Sequence, residues 1–133
     1  MLQLSIFLEN SIGRLAAVLE VLKELNVNIR ALSLAETKDF GVLRIMVADP
    51  EKVAEQLKLR EIVATTTPVW VLKVPDRSGG LSDIMSDLVK QGVVVEYMYA
   101  FVEKADEEAQ VVLHVLDEKV MKKAVDILGI KVN

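Results

Sequence analysis

Cysteine is absent from the 133 residues, which removes any disulfide framework, thiolate nucleophile or thiolate metal site and leaves the redox compartment open. Histidine occurs once, as His114, so no second imidazole can share a metal and no serine can be assigned a histidine–carboxylate relay. No cofactor fingerprint and no catalytic constellation is found, and a protein that is not an enzyme is expected. Lys and Arg number 16 against 20 Asp and Glu, and no basic stripe runs through any segment. The net charge of −4 therefore argues against nucleic acid as a partner. No apolar run approaches the roughly 18 residues of a membrane span, and no basic stretch precedes the N-terminal apolar residues. A cytoplasmic chain without membrane contact is the expectation.

What is abundant is apolar surface. A hydrophobic fraction of 52% and a mean hydropathy of +0.34 imply well-covered strands and a buried subunit contact. With only six glycines and three prolines, the position of each one is informative. Leu8-Glu9-Asn10-Ser11-Ile12-Gly13-Arg14-Leu15 ends an alternating apolar run and starts a helical pattern. Val74-Pro75-Asp76-Arg77-Ser78-Gly79-Gly80-Leu81 repeats that event. Gly13 and Gly79 stand 66 residues apart, and Asn10 and Asp76 keep the same offset. A polar strand-to-helix junction with glycine lets backbone N–H groups converge on an anionic ligand group at a helix N-terminus.

Period-two alternation over Leu2–Leu8 predicts a strand with one well-buried face. Leu15, Val18, Leu19, Leu22 and Leu25 predict a helix, with Asn26 as its stop. Strands are expected over Val27–Glu36 and Val42–Val47, joined by a turn at Thr37–Gly41. Asp49-Pro50 opens a second helix, Asp as cap and Pro at the first position, and a fourth strand fits within Ile62–Thr67. Pro68 marks the boundary. The program then repeats. Leu81, Ile84, Met85 and Leu88 match the first helical stripe at the 66-residue offset. Val93–Val102 is a strand, and Glu103–Glu108 a charged hairpin tip about two residues longer than its counterpart. A strand through Val111–Val115 and a helix from Asp117 to Gly129 follow. Ile130–Val132 leaves the last edge short. Two βαββαβ orders define the fold class as α+β: two tandem ferredoxin-like units, 1–67 and 68–133, with antiparallel sheets and helices on one face. Packing one small unit against the other about a pseudo-twofold axis would compensate for limited burial in each.

Phe7-Leu8-Glu9-Asn10 running into Gly13-Arg14-Leu15, Asn28-Ile29, and Val74-Pro75-Asp76-Arg77 running into Gly79-Gly80-Leu81 resemble the ACT-domain family in its stand-alone tandem form. Leu32–Glu36 and Glu96–Phe101 resemble the second strands of that type. The resemblance spans essentially the whole chain. It implies an amino-acid effector bound near the first strand-to-helix loop, and regulation of a partner enzyme of amino-acid metabolism. Ser11-Ile12 departs from family loops that place a proline beside the glycine, which implies a less rigid first loop. Asn28 has Val94 as its counterpart, so the two pockets are expected to differ.

The candidate ligand-binding residues are Asn10, Ile12, Gly13, Arg14, Leu15, Asn28, Asp76, Arg77, Gly79, Gly80 and Leu81. The glycines either admit an α-carboxylate to the backbone or simply permit a turn. Asn10 and Asp76 either receive an α-ammonium or cap the loop locally. Arg14 and Arg77 either meet a carboxylate or face water. Tyr97, Tyr99 and Phe101 share one face opposite the small counterparts Ala31, Ser33 and Ala35, which suits packing between copies. They could also form an RNA-stacking platform, but Glu96 and Glu103 carry the wrong sign for it. The leading expectation is an amino-acid-binding regulatory protein that forms a homodimer. The alternative is a ligand-free interaction module that docks a partner enzyme.

Overall fold

The computed structural model describes residues 1–36, 39–103 and 108–133. The chain forms two compact units, Leu2–Pro68 and Val69–Asn133, the second taking in Met1. In the first, β1 (Leu2–Glu9), α1 (Arg14–Glu24), β2 (Ala31–Glu36), β3 (Phe40–Met46), α2 (Pro50–Leu59) and β4 (Ala64–Pro68) follow one another. The antiparallel sheet runs β2-β3-β1-β4. β1 is central because its alternation supplies a core row: Ile6 stands beside Leu43 on one side and Ala64 on the other. Val18 and Leu22 of α1, with Val53 and Leu57 of α2, cover that row. The expectation of a single buried face is exceeded, since Gln3 and Ser5 are buried as well, with the Gln3 amide donating to Ser5 Oγ at 3.0 Å. Pro68 closes β4, an edge strand, where a missing donor is tolerated.

The second unit contains β5 (Trp70–Pro75), α3 (Gly80–Lys90), β6 (Val95–Ala100), β7 (Glu108–Val115) and α4 (Glu118–Leu128). Its strands run β5-β7-β6, the order of the first unit repeated. The last edge is short, as the remaining residues predict: Leu72 bridges to Val132, and Asn133 N–H donates to the Val71 carbonyl at 2.9 Å. Met1 joins the head of β5, its carbonyl accepting from Val69 N–H at 2.9 Å. Leu72, Leu88, Leu113, Met121 and Ala124 form the core. These are two tandem ferredoxin-like α+β units, each with its helices on one face of an antiparallel sheet.

Helix ends explain where the strands begin. α1 closes with Val27 N–H donating to the Leu22 carbonyl and Asn26 N–H to the Lys23 carbonyl, with Asn26 left-handed at φ 57. Glu61 and Gly92 close α2 and α3 by the same pair of bonds, at φ 61 and φ 80. Gly129, at φ 63, stops α4. The residue after each of the first three turns, Val27, Ile62 or Val93, dips into its core and ends the helix motif. The second strand therefore starts at Ala31 rather than Val27, and β6 at Val95 rather than Val93. The expected turn at Thr37–Gly41 and the hairpin tip at Glu103–Glu108 fall partly on residues 37–38 and 104–107, outside the described residues.

Candidate functional site

The two strand-to-helix loops have the same backbone. In the first, Ser11 N–H donates to Glu9 O at 2.9 Å, Arg14 N–H to Ser11 O at 3.3 Å, and Ala17 N–H to Gly13 O at 2.9 Å. Displaced by 66 residues, Arg77 donates to Pro75 at 2.9 Å, Gly80 to Arg77 at 3.1 Å, and Asp83 to Gly79 at 2.9 Å. Gly13 (φ 80, ψ 0) and Gly79 (φ 82, ψ −6) precede α1 and α3 in the left-handed region, which an L side chain adopts only with strain. The Ser11-Ile12 departure leaves this turn unchanged. Gly80 is required for a different reason: a Cβ there would lie 2.2 Å from the Pro75 carbonyl oxygen.

Neither helix is capped by a side chain. The first-turn N–H groups of Leu15 and Ala16, and of Leu81 and Ser82, have no intrahelical acceptor by geometry and no cap. Asn10 and Asp76, three residues before the glycines, are exposed, and among the described residues their side chains make no hydrogen bond or ion pair. They are not the local caps that the sequence equally allows. Their polarity leaves them to solvent or to a ligand.

The arginines are not equivalent. Arg77 turns back on its own loop, donating from Nη1 to the Ser78 carbonyl at 3.1 Å and from Nη2 to Asp83 Oδ2 at 2.8 Å. Both partners are largely exposed, so the pair holds Arg77 only weakly. Arg14 is half-buried, and its Nε is buried without a hydrogen-bond partner. Ile12 is fully exposed, so no apolar recess surrounds it within its own unit. Leu15 packs against the first core, whereas Leu81 is 40% exposed and lies outside the second. The expected match of helical stripes thus breaks at its first position.

The structure separates Asn28 from the first loop. Asn28 is exposed and precedes β2 instead of lying within it. The 11 residues of α1 lie between the two, roughly 16 Å at the helical rise. Asn28 opens instead on a cavity of about 400 Å³ that also meets Arg30 and Lys52, residues that no motif marks out. Elsewhere, Tyr97 stacks on His114 with ring centres 4.9 Å apart and planes 5° from parallel. Glu96 Oε1 lies 3.1 Å from His114 Nδ1, off the line of a hydrogen bond. Tyr99 is buried. Among the described residues no three His, Asp or Glu side chains are grouped to hold a metal, and no helix is long and apolar enough to cross a membrane.

Two tandem ferredoxin-like units, each opening its first helix on an uncapped glycine turn, set the class of fold. The profile of the ACT domain pair matches residues 1–128, and the chain belongs to that family. A protein of known structure from Bacteroides thetaiotaomicron is 36% identical, with TM-score 0.89 over 99% of this chain and 90% of that one. The ligand-free regulatory subunit of aspartate kinase from Thermus thermophilus superposes with TM-score 0.66 at 14% identity, covering 96% of this chain and 90% of that one. The corresponding subunit from Thermus flavus gives 0.57 at 12% identity, covering 95% and 90%. The resemblance to tandem ACT proteins is borne out, and the fold is that of ACT regulatory modules. No curated protein matches the sequence.

Proposed function

We propose that the protein senses an amino acid at these loops and modulates a partner enzyme of amino-acid metabolism. The observation that carries the reading is the doubled, uncapped glycine turn with an unengaged Asn10 or Asp76 beside it. An α-carboxylate there accepts from first-turn N–H groups at the positive end of the helix dipole. The α-ammonium meets Asp76 or Asn10. Asp76 carries the stronger attraction because its charge is opposite. Arg77 can release Asp83 to reach the carboxylate, because an exposed ion pair contributes at most about 1 kcal/mol.

Among the described residues β2 and β6 stand at the edges of their sheets, and Leu32 and Leu34 lie exposed on the first. An edge of this kind favours a second copy as cover, in line with a homodimer. Sedimentation across a dilution series should find a dimer; a monomer at every concentration removes that part of the proposal.

Melting shifts across a panel of amino acids, followed by calorimetric titration of the best one, test the sensing role. Ligand at about 100 times its dissociation constant adds about 2.7 kcal/mol of stability. Asp76→Ala should weaken binding roughly tenfold to a hundredfold while the fold survives, since the side chain has no partner to lose. If no amino acid binds, or if Asp76→Ala and Asn10→Ala both bind as wild type, the reading fails and the ligand-free docking module replaces it.

A further inference from the structure

We infer that the exposed side of α4, in the second unit, docks an acidic, extended segment of a partner protein. A groove of about 560 Å³ runs there between Trp70 and α4. Trp70 is half-buried against the second core, and its Nε1 donates to Glu118 Oε2 at 2.8 Å, which fixes the ring as one wall. Ile127 adds exposed hydrocarbon along the helix. Asp126, the other acid of the lining, accepts from Lys122 Nζ at 3.0 and 3.1 Å. Both acids of the groove therefore have partners within it. The side chains of Lys119 and Lys123, which complete the lining, have none among the described residues. They stand at i and i+4 on one helix, where like charges destabilise, in a chain of net charge −4. Three ammoniums against two carboxylates leave the groove positive, and the excess lies on this pair.

The first unit shows that the fold itself does not require these residues. Asp49 and Asp117 cap equivalent helices, and Val53 and Met121 each donate N–H to the capping residue's carbonyl at 3.1 Å. That register, 68 residues, sets Lys119 against Glu51, Lys122 against Ala54 and Lys123 against Glu55. At the 66-residue offset Trp70 falls against Leu4, which is fully buried. Every lining residue on α4 is exposed, so the groove does not wrap a small molecule as enclosed sites do. A chain that runs past both of its ends can cover it. Lys119 and Lys123 stand one turn apart, about 6 Å along the axis. Residues i and i+2 of an extended chain point the same way about 6.6 Å apart, so two carboxylates at that spacing meet both ammoniums. An apolar residue two places further on meets the indole, which Glu118 holds at the Lys119 end. Single-stranded nucleic acid also uses aromatic rings and lysines, but it needs a basic track along its backbone, and only two unpaired lysines stand here.

The inference does not depend on the loops binding an amino acid, and the probe separates the two sites. Trp70 is the only tryptophan, so its fluorescence reports on the groove. Full-length protein is titrated with acetyl-Phe-Ser-Glu-Ser-Glu-amide, whose blocked ends remove the α-ammonium and α-carboxylate that the loops would take. A saturable change in Trp70 emission is expected. The same peptide with Gln for Glu should bind at least about fivefold more weakly, since two ion pairs are lost. Lys119→Glu with Lys123→Glu, the first unit's residues at those places, should weaken the acidic peptide at least about tenfold, because attraction becomes repulsion. The Gln peptide tests charge on the unaltered protein, so the inference stays open to failure even if the double variant is less stable. No saturable change, equal affinity for the Gln peptide or for the double variant, or tighter binding of oligothymidylate than of the acidic peptide would each overturn the site.

Discussion

The four helices begin in two ways. α2 and α4 start on aspartates: Asp49 Oδ1 accepts from Lys52 N–H at 3.3 Å, and Asp117 Oδ1 accepts from Lys119 and Val120 N–H at 2.9 and 3.2 Å. α1 and α3 start on left-handed glycines with no side-chain acceptor. A cap typically contributes about 1 kcal/mol, so this chain forgoes stabilisation at two of its four helix starts. The division is the same in both units, although the loop sequences differ at almost every position apart from the glycine. What recurs is backbone conformation and an open first turn. Asp or Ser cannot simply replace Gly13 and Gly79, because the left-handed backbone there strains any L side chain.

The largest effect expected from breaking this comparison is at Gly80. Gly80→Ala sets a Cβ 2.2 Å from the Pro75 carbonyl oxygen, and backbone must move to relieve it. The cost should be about 3 kcal/mol, at the upper end of overpacking effects. Arg14, its counterpart, already carries a Cβ, and its turn bond is longer, 3.3 Å against 3.1 Å. Arg14→Gly should therefore cost no more than the roughly 1 kcal/mol of a helical glycine. Urea denaturation of the two variants compares the loops directly. Equal losses would mean that the second turn is no tighter than the first.

Next in size are Gly13→Ala and Gly79→Ala. Nothing lies within 4 Å of the added Cβ at Gly13, and only Arg77 Nη1, at 3.8 Å, at Gly79. Only the left-handed strain remains, about 1–2 kcal/mol at each. The same denaturation series should give matching losses. Unequal losses would show that one turn can relax out of the left-handed region and the other cannot.

Much of this was legible in the residues. Asn26 and Gly129 as stops, Asp49-Pro50 and Asp117 as starts, and the paired glycines all act through local backbone chemistry, which the sequence carries directly. Elsewhere tertiary packing overrides the local signal. Val27-Asn28-Ile29 has the composition of a strand, yet Val27 closes the end of α1 and Ile29 packs on the core before any ladder begins. Leu81 fits the helical stripe but faces outward. Whether Asn10 and Asp76 cap their helices depends on side-chain direction, which residue type alone leaves open.

The capped helices give a smaller effect. Asp117→Ala removes two accepted bonds and Asp49→Ala one longer bond, so losses of about 1.5 and 0.5 kcal/mol are expected, within the usual range for caps. Thermal melts of the two variants should rank them in that order. The reverse order would mean that charge near the helix start matters more than the bonds themselves.

The last effect is a modest gain, at the helix ends rather than the starts. Asn26, Glu61 and Gly92 occupy one and the same left-handed closing position in α1, α2 and α3. Glycine adopts it without strain, asparagine tolerates it, and glutamate has neither advantage. Left-handed strain at Glu61 costs about 1–2 kcal/mol, while glycine there loses roughly 0.5–1 kcal/mol more chain entropy on folding. Glu61→Gly should thus stabilise the first unit by about 0.5–1 kcal/mol. Asn26→Gly should change little, because the asparagine it replaces is already suited to the turn. Urea midpoints for the pair measure the difference. If Glu61→Gly is neutral or destabilising, contacts of the Glu61 side chain outweigh its backbone strain.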